Sequence, residues 1–465
     1  MDQWIYSFYH QNLQVLKINK EILQLAIPNI ISNISVPLIS SVDTGLMGNL
    51  SALHIGAVGL GSMIFNFVYW NFGFLRMGTT GMTAQAYGQY EHANVEETHS
   101  TIIHILGRAL VVALVLSGLI LVLQQPLAEL GFLLMNVTTV QYDLVAEYFF
   151  TRIWAAPATL VLVVMMGWFF GMQNAIYPLI LTIIINISNI IVSYVLVVHY
   201  ELGVAGVAYG TVAAQYIGLI AALSLFAFKY RYLLRYFQKK LLFEAQKFWG
   251  FLRINSDIFL RTFCLTIAFG FFYSQSATAG EKILAVNTIL MQFLNWMSFG
   301  VDGFAYAAES LVGKYKGANQ PKQTQKAVRY SMRWGMALAL CFSLVYGLLG
   351  EELVHLFTNK PDVVAATLPY LWWMVILPII GTPCYIWDGV FVGLTAVTAM
   401  RNSMLIALLV YLACYAIGTF LYPDLDMLSD VLWCALLAFL ATRGIAQWWL
   451  YRGFDLNQNP PHPTN

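Results

Sequence analysis

The residues of this sequence that could do chemistry are a few carboxyl groups within long apolar segments, and Asp43 is the most isolated of them. It ends the first apolar segment, and no basic residue lies within two helical turns of it on that segment. A carboxyl group in a low-dielectric site holds its proton more tightly than one in water, because its charged form is poorly solvated. We therefore predict that Asp43 binds and releases a proton near neutral pH.

The helix predicted around Asp43 can also bend. Pro28 and Pro37 each remove a backbone hydrogen-bond donor and favour kinks, so both are predicted hinges. Asn29 and Asn33 add polar groups to the same segment. A titratable group on a deformable helix is what a proton-triggered switch requires. The alternative is that Asp43 only terminates the helix near the outer membrane interface.

Other charged side chains in the apolar segments are few, and each is a functional candidate because a charge at mid-bilayer costs about 2.5–3.5 kcal/mol. The candidates in the second half are Arg261, Asp302, Glu309 and Asp388. Asp257 precedes Arg261 by one helical turn, which predicts an ion pair between them. Arg76 and Arg152 could pair with acidic residues of neighbouring helices. Whether the acidic residues of the second half bind a ligand stays open.

The composition indicates a membrane protein. The 465-residue chain is 59% hydrophobic and only 10% charged, whereas soluble domains carry about 25% charged residues. The apolar runs are continuous over about 20 residues, the length of a membrane-spanning helix, and do not alternate as β-barrel strands do. The cysteines and histidines lack ligand or catalytic spacing, so we expect no metal site, no cofactor and no enzyme activity.

Twelve apolar spans can be placed along the chain. They are 22–46, 55–86, 101–124, 142–172, 177–199, 204–228, 249–275, 283–313, 330–349, 363–395, 401–421 and 428–451. Lysine and arginine concentrate in the loops on one side, above all at 229–248, and only Lys282 and Lys360 lie on the other. This bias predicts an integral protein of the plasma (inner) membrane with both termini in the cytoplasm.

The two halves of the chain repeat. Gly-x-Phe-x-Gly ends span four at 167–171 and span ten at 389–393. Because six spans is an even number, we predict two six-helix bundles in the same orientation, related by a pseudo-two-fold axis along the membrane normal. The predicted parts are an interfacial segment 1–20, an N-lobe 21–228, a cytoplasmic linker 229–248, a C-lobe 249–453 and a polar tail 454–465.

Four pairs of stretches carry a family resemblance: 25–28 with 42–48, 167–174 with 177–178, 186–189 with 203–208, and 285–291 with 302–309. Through them the sequence resembles the multidrug and toxic compound extrusion (MATE) family, in particular its DinF-like branch. Their order and spacing extend over almost the whole chain. The resemblance implies a cation-driven exporter of small amphipathic organic compounds that works by alternating access.

The resemblance also implies a cation site in the N-lobe. By matching positions it would contain Asp43, Asn189, Ser193 and Thr211, with Tyr148 as a weaker member. Ser193 stands where the family commonly has aspartate, so the site has one carboxylate instead of two. Because hard cations prefer several oxygen ligands and compensating negative charge, this departure favours H⁺ over Na⁺ as the coupling ion.

Substrate contacts are predicted at methionine and aromatic residues, which adapt to varied ligands. The candidates for the cleft are Met47, Met63, Phe65, Met291 and Trp296, with packing or lipid-facing roles as the alternative. The predicted function is proton-coupled antiport of amphipathic and cationic organic compounds. We expect a monomer that contacts membrane lipids, and we expect no nucleic-acid partner.

Two other functions remain open: a sodium-coupled MATE exporter, and a lipid-linked-oligosaccharide flippase of the same superfamily. Such flippases have a strongly cationic central cleft. The charges inside the spans of this chain are of mixed sign, which argues against the flippase.

Overall fold

A computed structural model describes residues 15–35, 52–91, 94–422 and 427–456. Almost all of these residues are helical, and no strand occurs among them. A helix satisfies its backbone N–H and C=O groups within one segment. Apolar sequences that cross lipid therefore adopt helical structure. The predicted all-α integral membrane fold is therefore confirmed.

The helices are numbered in chain order over the described ranges. The first half contains α1 (15–35), α2 (Ala52–Asn71), α3 (Gly73–Gly88), α4 (Val95–Val122), α5 (Gln124–Leu134), α6 (Tyr142–Arg152), α7 (Ala156–Gly171), α8 (Ile176–Tyr194) and α9 (Gly203–Tyr230). The second half contains α10 (Lys239–Leu242), α11 (Ala245–Thr278), α12 (Glu281–Gly317), α13 (Pro321–His355), α14 (Pro361–Thr367), α15 (Leu371–Gly393), α16 (Val397–Leu421) and α17 (Leu428–Arg452).

Eleven segments of the described chain are helical, long and apolar enough to cross a membrane, and α1 precedes them. Several helices extend beyond the apolar spans predicted from sequence. The span predicted at 330–349, for example, is the middle of α13, which begins at Pro321 and continues to His355. Hydropathy detects only the lipid-embedded part of a helix, whereas a proline in the first turn marks where the helix begins. The short helix α5 was not predicted.

The chain forms two compact units. The first unit is Ile31–Asn255, and the second unit is Met1–Ile30 together with Ser256–Asn465. The helices α1 and α11 therefore each contribute residues to both units. In α1 the boundary between the two units lies between Ile30 and Ile31, just after the buried residue Pro28. A proline has no backbone N–H, so the helix lacks one hydrogen bond there. The lobes predicted at 21–228 and 249–453 stay a prediction.

The segment 229–248 is folded and attached to the first unit. It contains a 3₁₀ turn at Arg231–Tyr236 and the short helix α10. Arg108 of α4 donates hydrogen bonds to the carbonyl oxygens of Leu241 and Leu242, at 2.6 and 3.1 Å. These bonds fix the end of the segment against α4.

The sequence repeat corresponds to a repeated helix contact. In the first unit, a Cβ at Gly167 or Gly171 of α7 would collide with a backbone carbonyl oxygen of α3. In the second unit, a Cβ at Gly389 or Gly393 of α15 would collide in the same way with α12. Glycine at these positions lets the two backbones approach closely, as small residues do at helix interfaces in membranes. Each unit is thus built around the same close helix pair.

Candidate functional site

The helix α8 carries polar groups on its buried face and branched apolar side chains on its outer face. Ile183, Ile187 and Ile191 recur every fourth residue and are about half exposed. Asn189 and Ser193, also four residues apart, are buried inside the first unit. Because residues four apart share one face of a helix, the sequence of α8 places its amide and hydroxyl groups toward α9.

Three of the residues predicted for the cation site meet where α8 packs against α9. The Asn189 amide nitrogen donates a hydrogen bond to the Thr211 hydroxyl at 3.2 Å. Ser193 lies beside Gly210, where any Cβ would collide with its hydroxyl. The Asn189 carbonyl oxygen and the Ser193 hydroxyl are buried and make no hydrogen bond to any residue that the structure describes. The site therefore offers uncharged oxygen atoms that can bind a further polar group.

The helix that leads toward Asp43 in the sequence is attached to α8 close to this site. The Asn186 amide nitrogen donates to the Ser35 hydroxyl at 2.9 Å, one turn before Asn189 along α8. Asp43, Pro37 and Met47 lie outside the described residues.

Tyr148 belongs to a different cluster in the first unit. Its hydroxyl lies 2.8 Å from the Ser62 hydroxyl of α2 and accepts a hydrogen bond from Arg152 at 2.6 Å. The Arg152 guanidinium lies over the ring of Phe65, 4.9 Å from its centroid. We call Ser62, Phe65, Tyr148 and Arg152 the Arg152 cluster. No bond joins Tyr148 to the Asn189 and Thr211 pair among the described contacts.

The described candidates for the substrate cleft differ in exposure. Met63 is 57% exposed, and Trp296 is partly exposed and packs against Phe357 with ring centroids 5.0 Å apart. Phe65 and Met291 are each buried within their own unit and contact neighbouring side chains instead of an open surface. A direct substrate contact is therefore better placed at Met63 or Trp296, and this role stays a prediction.

The second unit contains a buried polar cluster around Asp388 of α15. One carboxylate oxygen accepts hydrogen bonds from Arg261 of α11 and from Arg443 of α17, the latter at 2.7 Å. The other oxygen accepts from the Gln447 amide at 2.6 Å. We call these four residues the Asp388 cluster. Two guanidinium groups and an amide occupy the carboxylate, so a metal cation would be repelled there.

The predicted ion pair between Asp257 and Arg261 is wrong. Asp257 accepts hydrogen bonds from Arg401 at 2.5 Å and from the Thr398 hydroxyl at 2.6 Å, both on α16. A pair one turn apart on a helix is worth only about 0.2–0.5 kcal/mol. Asp257 and Arg261 instead each form hydrogen bonds with side chains of neighbouring helices, and these bonds replace the weak pair along α11.

The other acidic candidates of the second unit lie on α12. Asp302 is close enough to Tyr385 and Cys384 of α15 to interact with them electrostatically, which places it near the Asp388 cluster. Glu309 is buried, and its backbone carbonyl lies at the close contact with Gly393. Within the described ranges, no three His, Cys, Asp or Glu side chains come together as a metal site would require.

Sequence reasoning missed two features of these clusters. Gln447 gave no signal, because a glutamine near the end of an apolar span is ordinary. The contact of Ser62 with Tyr148 was not predicted either, although Ser62 follows Gly61, where a Cβ would collide with the Tyr148 ring. A glycine beside a hydroxyl residue in an apolar span marks such a close approach, and this signal could have found the contact.

Comparison with known proteins finds one family model and several relatives that match most of the chain. The MatE family model matches residues 28–195 and 258–422. DNA damage-inducible protein F of Escherichia coli K12 is 36% identical over 431 residues, which cover 92% of this chain and 91% of that protein. Protein DETOXIFICATION 44, chloroplastic, of Arabidopsis thaliana is 24% identical over 441 residues, 93% of this chain and 82% of that protein.

The fold is similar to that of a solved transporter. The Vibrio cholerae MATE transporter VcmN in the bent form superposes with a TM-score of 0.80 at 18% identity. The match covers 95% of this chain and 98% of that chain. The likeness thus extends over both units.

Proposed function

Since the chain belongs to the MatE family of multidrug and toxic-compound efflux transporters, we propose that it exports amphipathic and cationic organic compounds in exchange for protons. Transporters of this family bind small organic substrates and need no cofactor, and the chain is a homologue of DinF. The coupling ion, the residues that carry it and the preferred substrates form the proposal.

The observation that carries the proposal is the contact of Asn189 with Thr211 beside the buried hydroxyl of Ser193. These side chains bring amide and hydroxyl oxygens together in an apolar interior, and neither α8 nor α9 contains an acidic residue. The hydrogen bond from Asn186 to Ser35 attaches the end of α1 to α8, and Asn186 precedes Asn189 by one helical turn. The sequence continues from α1 to Asp43. In our proposal Asp43 supplies the charge and the α8–α9 pair supplies its hydrogen-bond partners.

The charge of such a site favours a proton over a sodium ion. One carboxylate with neutral oxygens balances a single positive charge but supplies few of the hard ligands that a bound metal cation needs. A proton needs only the carboxylate itself, and the neighbouring hydroxyl and amide groups can accept or donate a hydrogen bond in either charge state. Ser193, which lacks the charge of an aspartate, is therefore the residue that decides the ion in our proposal.

The transport cycle then follows from competition for Asp43. The ionised carboxylate attracts a cationic substrate, and a proton from outside neutralises it and releases the substrate. Neutral Asp43 lets the first span bend at Pro37 or Pro28, and the protein rocks to the inward-facing state, where the proton leaves. The membrane potential supplies about 2.3 kcal/mol per charge per 100 mV to this exchange.

The Asp388 cluster takes no part in ion coupling in this proposal. Its carboxylate is held by Arg261, Arg443 and Gln447, so a cation would have to displace these groups from both oxygens. Removing one partner of a buried ion pair strongly destabilises a protein, because the other charge is left buried without compensation. We therefore assign Asp388 the task of joining α11, α15 and α17.

The membrane orientation follows the distribution of basic residues. We propose that both termini and the segment 229–248 face the cytoplasm of the plasma (inner) membrane. The protein works as a monomer in this proposal, since each step uses groups of one chain. Lipid surrounds the exposed aliphatic faces, such as that of α8.

The test is substrate efflux from vesicles that contain the purified protein, under separate ion gradients. A fluorescent organic cation should leave inside-loaded vesicles when a proton gradient is imposed with sodium absent. A sodium gradient at clamped, equal pH should have no effect. Efflux that follows sodium and ignores the proton gradient would contradict the proposal.

The variant Ser193→Asp provides a matched test of the ion choice. It adds the second carboxylate that sodium binding favours, at a position already facing the site. We expect sodium to become an effective driving ion in this variant, with proton-driven efflux weakened. Ser193→Ala, which adds no charge, should keep the proton dependence of the natural protein.

A further inference from the structure

The segment 229–248 carries a positive charge that its own side chains do not balance. It contains six lysine and arginine residues and a single acidic residue, Glu244, which pairs with Lys247 at 2.9 Å. Four of its cations are exposed and form no ion pair with any residue that the structure describes: Arg231, Arg235, Lys239 and Lys240. We call these four side chains the basic surface.

Large apolar side chains are exposed next to the basic surface. Phe243 lies within the segment and is 62% exposed, and Phe228 and Trp249, at its two ends, are 89% and 69% exposed. A surface that meets only water rarely presents such a group of rings. Aromatic side chains beside lysine and arginine are typical of a protein surface at the boundary between lipid and water.

The backbone of the segment is held in place by its buried side. Leu233 is fully buried, and the ring of Phe237 stacks on His104 of α4 with centroids 5.4 Å apart. The Gln238 backbone N–H donates a hydrogen bond to His104 at 3.0 Å. With the bonds from Arg108 to the end of the segment, these contacts fix the backbone that carries the basic surface. A ligand that binds there therefore pays little to order the chain.

The position of the segment in the chain keeps it close to lipid. The helices before and after it, α9 and α11, are both long and apolar enough to cross a membrane. Only residues 231–244 lie between the last residue of α9 and the first residue of α11. The basic surface thus lies near the ends of two membrane helices. Phospholipids present negative headgroups at that level, together with acyl chains that can cover the exposed rings.

From these observations we propose that the basic surface binds anionic phospholipids of the surrounding bilayer. The lipid phosphate would lie against the lysine and arginine side chains, and the acyl chains would contact Phe243 and Trp249. Lysine and arginine next to a membrane surface attract anionic headgroups, and their contributions add up over a cluster. This inference goes beyond transport, because it assigns a lipid partner to a surface outside the proposed ion site.

The test measures lipid binding to the delipidated, purified full-length protein. Native mass spectrometry gives the apparent Kd of the first bound lipid for phosphatidylglycerol and for phosphatidylcholine with the same acyl chains. The natural protein should bind phosphatidylglycerol more tightly. The double variant Lys239→Gln/Lys240→Gln should weaken phosphatidylglycerol binding by about tenfold or more, and leave phosphatidylcholine binding within twofold.

Two further double variants separate the site from net charge and from folding. Lys17→Gln/Lys20→Gln removes the same charge from two exposed lysines of α1 and should leave both affinities unchanged. Lys239→Arg/Lys240→Arg keeps the charge and should keep the preference for phosphatidylglycerol, because arginine and lysine both bind phosphate. Thermal unfolding in detergent should be the same for all three variants, since these side chains are exposed.

Three results would overturn the proposal. The first is equal affinity of the natural protein for the two lipids. The second is an equal effect of Lys239→Gln/Lys240→Gln and Lys17→Gln/Lys20→Gln on phosphatidylglycerol binding. The third is displacement of phosphatidylglycerol by glycerol phosphate, its water-soluble headgroup, in large excess, which would assign the surface to a soluble anion. The binding measurement uses no ion gradient, so its outcome does not depend on the proposed coupling.

Discussion

Replacing Asp43 with asparagine should reduce proton-driven efflux to the level of vesicles that contain no protein. Asparagine has nearly the same size and hydrogen-bonding groups but cannot change its charge, so substrate and proton can no longer compete for it. The fold should survive, because asparagine is nearly isosteric and removes a charge that is costly within an apolar segment. Efflux of a fluorescent cation under an imposed pH gradient measures the loss, and thermal unfolding in detergent checks the fold.

A matched control is Asp143→Asn, which neutralises an exposed carboxylate in the first turn of α6. It should transport at the rate of the natural protein. If Asp43→Asn pumps as well as the control does, Asp43 is not the coupling residue.

Replacing Asp388 with asparagine should strongly destabilise the second unit. Arg261 and Arg443 would then be buried without their counter-charge, and breaking a buried pair of this kind costs about 3–5 kcal/mol in the free energy of unfolding. We expect a markedly lower unfolding temperature in detergent and a smaller yield of monodisperse protein. Transport per folded molecule should keep its proton dependence, since this carboxylate is not the coupling group.

The internal control is Asp257→Asn, which removes the carboxylate that Arg401 contacts. The Arg401 side chain is 30% exposed, so solvent screens its charge and the loss of this pair should cost less than the loss of the Asp388 pairs. An Asp388→Asn variant as stable as Asp257→Asn, with altered ion dependence, would assign Asp388 to coupling instead.

Hydropathy predicted the membrane spans of this chain but not the full extent of its helices. The apolar stretches located the membrane spans, because lipid selects residues along the whole crossing. The helix ends were missed, since α13 continues from Pro321 to His355 through polar residues that hydropathy does not assign to a span. The glycine pairs at 167–171 and 389–393 did reveal the internal repeat, because close backbone packing admits only the smallest residue.

For the site, the sequence identified residues better than partners. Asn189 and Thr211 were assigned through the family resemblance, and the structure brings them together across 22 residues. Asp388 stood out as a charge in an apolar span, but its partners Arg261 and Arg443 lie 127 and 55 residues away, and spacing along one helix cannot show such contacts. The same limit explains why Asp257 was paired with the wrong arginine.

The most direct test of the central claim is proton release when substrate binds. Tetraphenylphosphonium, a permanent cation, is added to purified protein in a weakly buffered solution, and the pH is followed with an indicator dye. If substrate and proton compete for Asp43, the natural protein should release protons on binding and Asp43→Asn should release none. Substrate binding without proton release by the natural protein, or equal release by the variant, would contradict the account.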